Sequence, residues 1–151
     1  MSTKEKLTAD MKQAMKDREA GKLRLGVIRM LRADIRNAEI NNKGKAELSE
    51  EEVLAVIMKA VKMREDSLAE FTKAGRQDLV DQTKAELEVL NAYLPEQLSD
   101  EELTDIVKKA IESTGATGMK EMGKIMKTVM PQVQGRADGR RINTIVRDLL
   151  K

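Results

Sequence analysis

The chain has no cysteine, no histidine and no tryptophan, and only one tyrosine, one phenylalanine and two prolines among 151 residues. Without cysteine there is no disulfide framework, no thiolate metal site and no thiol nucleophile, and nothing points to an oxidising compartment. Without histidine, the commonest general base, proton shuttle and metal ligand is missing. No G-x-x-x-x-G-K-[ST] loop and no G-x-G-x-x-G after a strand occurs, so a nucleotide-phosphate cradle has no support. A Ser-Lys amidase would have its residue types, yet every serine falls at an expected helix cap, end or surface. The two aromatics, Phe71 and Tyr93, stand at positions that fit a packed core, which leaves no platform on which bases could stack. The longest wholly apolar run, Val53 to Met58, is far too short to span a bilayer. The opening MSTKEKLTADMKQ carries lysines without an apolar stretch, so the expectation is a cytoplasmic protein with no membrane association.

What is present is a dense mixture of charge and apolar residues. Charged residues make up 36% and hydrophobic residues 40% of the chain, and the apolar ones recur at helical spacing between the charges. That combination predicts a folded, all-α protein rather than a disordered one. The net charge of +2 hides an uneven distribution. Residues 1–98 hold 18 Lys+Arg against 18 Asp+Glu, whereas residues 113–151 hold 8 basic residues against 3 acidic ones, a local excess of five positive charges.

Ser2 with Glu5 reads as a capping box, followed on one face by Leu7, Met11, Ala14 and Met15, with Gly21 as the expected stop. A second helix is predicted from about Lys22 to Asn41, burying Leu23, Val27, Met30, Leu31, Ile35 and Ala38, with a turn at Asn41-Asn42-Lys43-Gly44. Ser49-Glu50-Glu51-Glu52 opens a long third helix, and its acids suit a helix start better than a cation site. Gly75 closes it, and a fourth helix from Asp78 carries Leu79, Leu87, Leu90 and Leu94 before Pro95 stops it. A fresh capping box at Ser99-Asp100-Glu101-Glu102 sets the expected boundary, with an amino-terminal helical domain over 1–96 and a small three-helix domain over 97–151. The three helices are Leu103 to about Ser113, about Gly118 to Met130, stopped by Pro131, and about Asp138 to Leu150. The stripe Met119, Met122, Met126 and Met130 is expected to be a buried face.

Several ordered motifs carry a resemblance. Met122-Gly123-Lys124, Val129-Met130 and Gly135-Arg136-Ala137-Asp138-Gly139, followed by Ile142, Val146 and Leu149, are similar to the tail domain of the GatB subunit of tRNA-dependent amidotransferases and of the small YqeY proteins. Ala74-Gly75-Arg76-Gln77-Asp78-Leu79 and Tyr93-Leu94-Pro95-Glu96-Gln97-Leu98 also match the YqeY proteins in order and spacing, so the resemblance spans nearly the whole chain. One departure is Thr83, where that pattern usually has Glu, three residues before Glu86. The resemblance implies an all-helical protein whose tail contacts tRNA. The amidation and ATP chemistry of amidotransferases belongs to other domains, for which this chain has no room.

The candidate RNA-binding residues are therefore the cations around the glycine-flanked turn: Lys124, Lys127, Arg136, Arg140 and Arg141, with Gly123, Gly135, Asp138 and Gly139 shaping it. Arg forks and Lys point charges both suit phosphates. The bland alternative is that Asp138 caps a helix and the arginines form a solvated face. A second basic stripe, Arg18, Lys22, Arg29 and Arg36, reads as a solvent face. The expectation is a monomeric, non-enzymatic accessory protein with no cofactor and no metal, binding tRNA or another structured RNA. The alternative is a helical adaptor that docks on a protein partner in tRNA aminoacylation or amidation.

Overall fold

The structure, a computed structural model, describes residues 2–42 and 47–150, and among these there are seven α-helices, two 3-10 turns and no strand. The helices are α1 (Thr3–Lys16), α2 (Lys22–Asn41), α3 (Glu50–Lys73), α4 (Gln77–Asn91), α5 (Asp100–Thr114), α6 (Met122–Val133) and α7 (Gly139–Leu150), with 3-10 turns at Arg18–Gly21 and Met119–Glu121. The all-α expectation holds. The expected turn at 41–44 lies partly outside the described residues, since Lys43 and Gly44 are not among them. The chain divides into two compact units, Met1–Leu94 and Pro95–Lys151.

Capping chemistry sets the helix starts. Ser49 and Ser99 each form a complete box, the hydroxyl accepting the N–H of Glu52 or Glu102 (both 3.2 Å) while that glutamate accepts the serine N–H. Ser2 supplies the hydroxyl half, accepting the Glu5 N–H. The Ser99 N–H and hydroxyl hold the Glu102 carboxyl below its ordinary value, and Arg136 adds to the effect. Glu50 is consumed differently, since its carboxylate accepts both the N–H and the hydroxyl of Thr3, joining the starts of α1 and α3.

The amino-terminal unit packs α1 to α4 around Leu7, Val27, Ile28, Leu31, Ile35, Val53, Ile57 and Leu90. The Ala74-Gly75-Arg76 motif is the turn of the α3–α4 hairpin. Gly75 takes φ +69°, so that its N–H reaches the Thr72 carbonyl and the Arg76 N–H reaches the Phe71 carbonyl. Thr83 is buried, its hydroxyl donating to the Leu79 carbonyl at 2.7 Å, while Glu86 faces Arg64 at 3.5 Å. Three expectations change here. Asp17, not Gly21, caps the end of α1, and Gly21 is buried as the residue before α2. Leu23 is 38% exposed, while Ile28, absent from the predicted face, is fully buried. The face through Val27, Leu31 and Ile35 is buried as expected, and Ile28 joins it because it lies three residues before Leu31.

Tyr93 closes this unit, its hydroxyl donating to Asp10 Oδ2 at 2.5 Å while Arg24 pairs with the same carboxylate at 3.3 Å. Burial, then the neighbouring Asp10 carboxylate, pushes the Tyr93 hydroxyl up to about 12 from 10.0. A folded value above the unfolded one means that this stabilisation is complete below pH 10 and is lost as pH rises towards 12. Because Tyr93 is the only tyrosine, tyrosinate absorbance reports it alone. The folded protein is expected to titrate well above the denatured chain, and Asp10→Asn to lower the midpoint. Coincident folded and denatured curves would refute the contact.

The tail unit packs α5, α6 and α7 around Leu103, Val107, Ile125, Val129, Val133, Ile142 and Val146, with Leu98 of the preceding segment in the same core. Pro131 does not stop α6; it lies within the last turn, where one missing backbone bond is tolerated and Val133 still reaches the core. The buried stripe of α6 is Ile125, Val129 and Val133, and the methionine stripe flanks it, with Met119 47% and Met130 40% exposed. Each of those three apolar side chains sits one turn after the last, which buries them fully and pushes the methionines to the edge.

Candidate nucleic-acid interface

The glycine-flanked turn is built by a short segment returning from earlier in the chain. Gly135 is buried at φ +75°, a conformation that favours glycine, and its carbonyl accepts from Gln97 Nε2 at 2.8 Å. The Leu98 N–H donates to the Arg136 carbonyl at 2.9 Å, and Arg136 Nε donates to the Glu96 carbonyl at 3.0 Å. Arg141 completes the clasp, with Nη2 on the Leu98 carbonyl at 3.0 Å and on Asp100 Oδ1 at 2.7 Å. Asp138 caps α7, accepting the Arg140 N–H at 3.0 Å.

The five candidate cations therefore sort into two groups. Arg136 and Arg141 are engaged in holding residues 96–100 against the turn. Lys124 and Lys127 are exposed on α6, three residues apart and on the face turned away from Ile125, Val129 and Val133. Arg140 is exposed in the first turn of α7. Lys124 lies about 14 Å of helix before the end of α6, so it is not part of the turn itself. Of the shaping residues, Gly135 makes the bend and Asp138 caps α7. Gly123 and Gly139 instead lie inside the first turns of α6 and α7, and nothing stands within 4 Å of the place a Cβ would take.

Two further cations escape a reading of the sequence centred on the turn. Lys120, in the 3-10 turn before α6, is exposed, and so is Arg147, seven residues and two helical turns after Arg140. The signal for Arg147 lies in that spacing. Among the described residues no group of three or more carboxylate side chains is placed to hold a metal ion, and no helix is long and apolar enough to cross a membrane.

The model of a family described as Yqey-like protein matches residues 4–150. The chain is 34% identical over 134 residues to Altered inheritance of mitochondria protein 41, mitochondrial, of Pyrenophora tritici-repentis, covering 87% of this chain and 71% of that protein. The protein of the same name in Candida glabrata is 37% identical over 106 residues, covering 70% of this chain and 57% of the relative. That of Lachancea thermotolerans is 38% identical over 88 residues, covering 58% and 46%. The chain thus spans about half the length of the latter two. None of these names denotes a reaction. They do overturn the expectation of a cytoplasmic protein, because all three relatives are named as mitochondrial. The charge and apolar pattern on which that expectation rested does not separate cytosol from organelle.

Proposed function

The chain belongs to the Yqey-like protein family, and from that premise we propose that its tail unit binds the phosphate backbone of a folded RNA, tRNA above all, without catalysing a reaction. The observation that carries this reading is the outward face of α6, where Lys124 and Lys127 stand exposed with no carboxylate partner among the described residues. Lys120 and Arg147 extend the same cationic character, and Arg140 adds an exposed guanidinium at the start of α7. Arg136 and Arg141 shape the unit that presents these side chains. The lack of histidine and cysteine, and the use of Glu50, Glu52 and Glu102 in helix starts, support a binding role over a catalytic one. With two aromatics in the chain, recognition rests on backbone charge and shape rather than on stacked bases.

Salt titrations of tRNA and duplex DNA test the proposal. Lys124→Ala with Lys127→Ala is expected to weaken tRNA binding and to lower the salt slope by about two, one for each phosphate no longer neutralised. Arg141→Ala is expected to lower the stability of the tail unit by about 1 kcal/mol with little change in slope. An unchanged slope in the double lysine variant, or equal affinity for tRNA and duplex DNA, would remove the proposal. A second reading, a protein adaptor, rests on the exposed Met119 and Met130. It requires salt-resistant capture of a protein partner that their replacement by serine abolishes.

A further inference from the structure

A groove between α1 and α2 in the amino-terminal unit carries positive charge that its own contacts leave in excess. It encloses about 360 Å3. Buried Leu7 and Ile35 form its floor, and Lys4, Thr8, Arg32, Arg36 and Glu39 line its sides. Arg32 and Arg36 are i, i+4 neighbours, so their guanidiniums lie one turn apart on one helix face, an arrangement that is repulsive in isolation. Glu39 is already occupied, accepting from Lys4 Nζ at 2.7 Å and from the Leu48 N–H at 3.1 Å. Arg32 directs Nη1 at Met11 Sδ, a thioether and hence a weak acceptor, at 2.8 Å. Among the described residues, Arg36 has only its longer-range attraction to Glu39. Among the described residues that line the groove, three cations against one carboxylate leave two positive charges in excess and two guanidinium forks without a strong acceptor.

We propose that this groove binds a small molecule bearing a phosphate monoester, with the phosphoryl group held by Arg32 and Arg36 beside Lys4 and the carbon skeleton lying over Leu7 and Ile35. A monoester carries a charge of about −1.5 to −2 at neutral pH, which matches the excess, whereas a diester or carboxylate monoanion neutralises half of it. Arginine forks fit phosphate oxygens in pairs. The Thr8 hydroxyl donates its proton to the Lys4 carbonyl at 3.1 Å, so it offers lone pairs and suits a hydroxyl of the ligand skeleton rather than the phosphate. This site is independent of the tail unit and of its RNA reading.

The test uses the full chain titrated with glycerol 3-phosphate, dimethyl phosphate and a short RNA, followed by amide chemical shifts. Glycerol 3-phosphate is expected to bind with shifts at Thr8 and Ala33, and dimethyl phosphate about tenfold more weakly, having one charge fewer. Arg32→Gln with Arg36→Gln is expected to weaken glycerol 3-phosphate by about tenfold or more, while Arg29→Gln, on the same helix outside the groove, changes affinity by less than about twofold. With no histidine in the chain, weaker binding between pH 7 and pH 5 reports the ligand's own second ionisation, near 6. Glu39 stays ionised there, because the Lys4 hydrogen bond holds its carboxyl below the ordinary value. Equal binding of monoester and diester, an Arg29→Gln loss as large as that of the groove variant, or groove shifts with RNA alone would each overturn the proposal.

Discussion

Gly21→Ala is expected to lower stability by about 3 kcal/mol, the upper end of what overpacking costs. A Cβ at this position would lie 2.3 Å from the Ala14 carbonyl oxygen and 2.9 Å from the Ala14 carbonyl carbon. These are backbone atoms in the last turn of α1, so no side chain can swing aside, and relief requires α1 and the start of α2 to separate. Conformation is not the obstacle, since Gly21 has φ −97° and ψ 0°, which alanine adopts. Gly26→Ala makes the matching control. Gly26 lies within α2 and nothing stands within 4 Å of its Cβ position, so alanine there is expected to stabilise by about 0.5 to 1 kcal/mol through helix propensity and a less flexible unfolded chain. Denaturant midpoints moving in opposite directions, with unchanged slopes, check the pair. A neutral Gly21→Ala would mean that α1 and the 3-10 turn are not packed as described.

The same glycine marks where sequence reading stops. Its place at a helix boundary was legible, because glycine punctuates helices, yet the reason for it is a contact with Ala14 across a bend, and no local pattern carries that. Helix existence and the three serine caps were legible for the opposite reason: periodicity and S-x-x-E spacing act within one turn. Pro131 misled because proline's cost depends on position, and in a last turn it forfeits one bond. The cationic turn was half legible. Arg136, Arg140 and Arg141 are adjacent in sequence, but the Glu96 and Leu98 carbonyls and Asp100 that occupy Arg136 and Arg141 arrive from about forty residues away. The α1–α2 groove was not legible at all, since Lys4 and Arg36 become neighbours only when Leu7 and Ile35 share a core.

Leu103→Ala is expected to unfold the tail unit while leaving the amino-terminal unit intact. Leu103 is fully buried among Val107, Ile125 and Ile142, and truncating such a leucine costs about 2 to 5 kcal/mol, the forfeited transfer energy plus the cavity it leaves. A unit of under about 70 residues rarely holds more than about 3 to 5 kcal/mol from a single core, so the loss consumes most of what is present. Leu103→Met, which conserves volume, is expected to cost less than about 1.5 kcal/mol and to keep the unit folded. Hydrogen exchange reads the outcome directly: amides of α5, α6 and α7 lose protection while those of α2 and α3 retain theirs. Loss of protection throughout the chain would instead mean that the two units fold as one. The variant also separates the two binding proposals, because tRNA binding should disappear with the tail unit while glycerol 3-phosphate still shifts Thr8 and Ala33 in the α1–α2 groove.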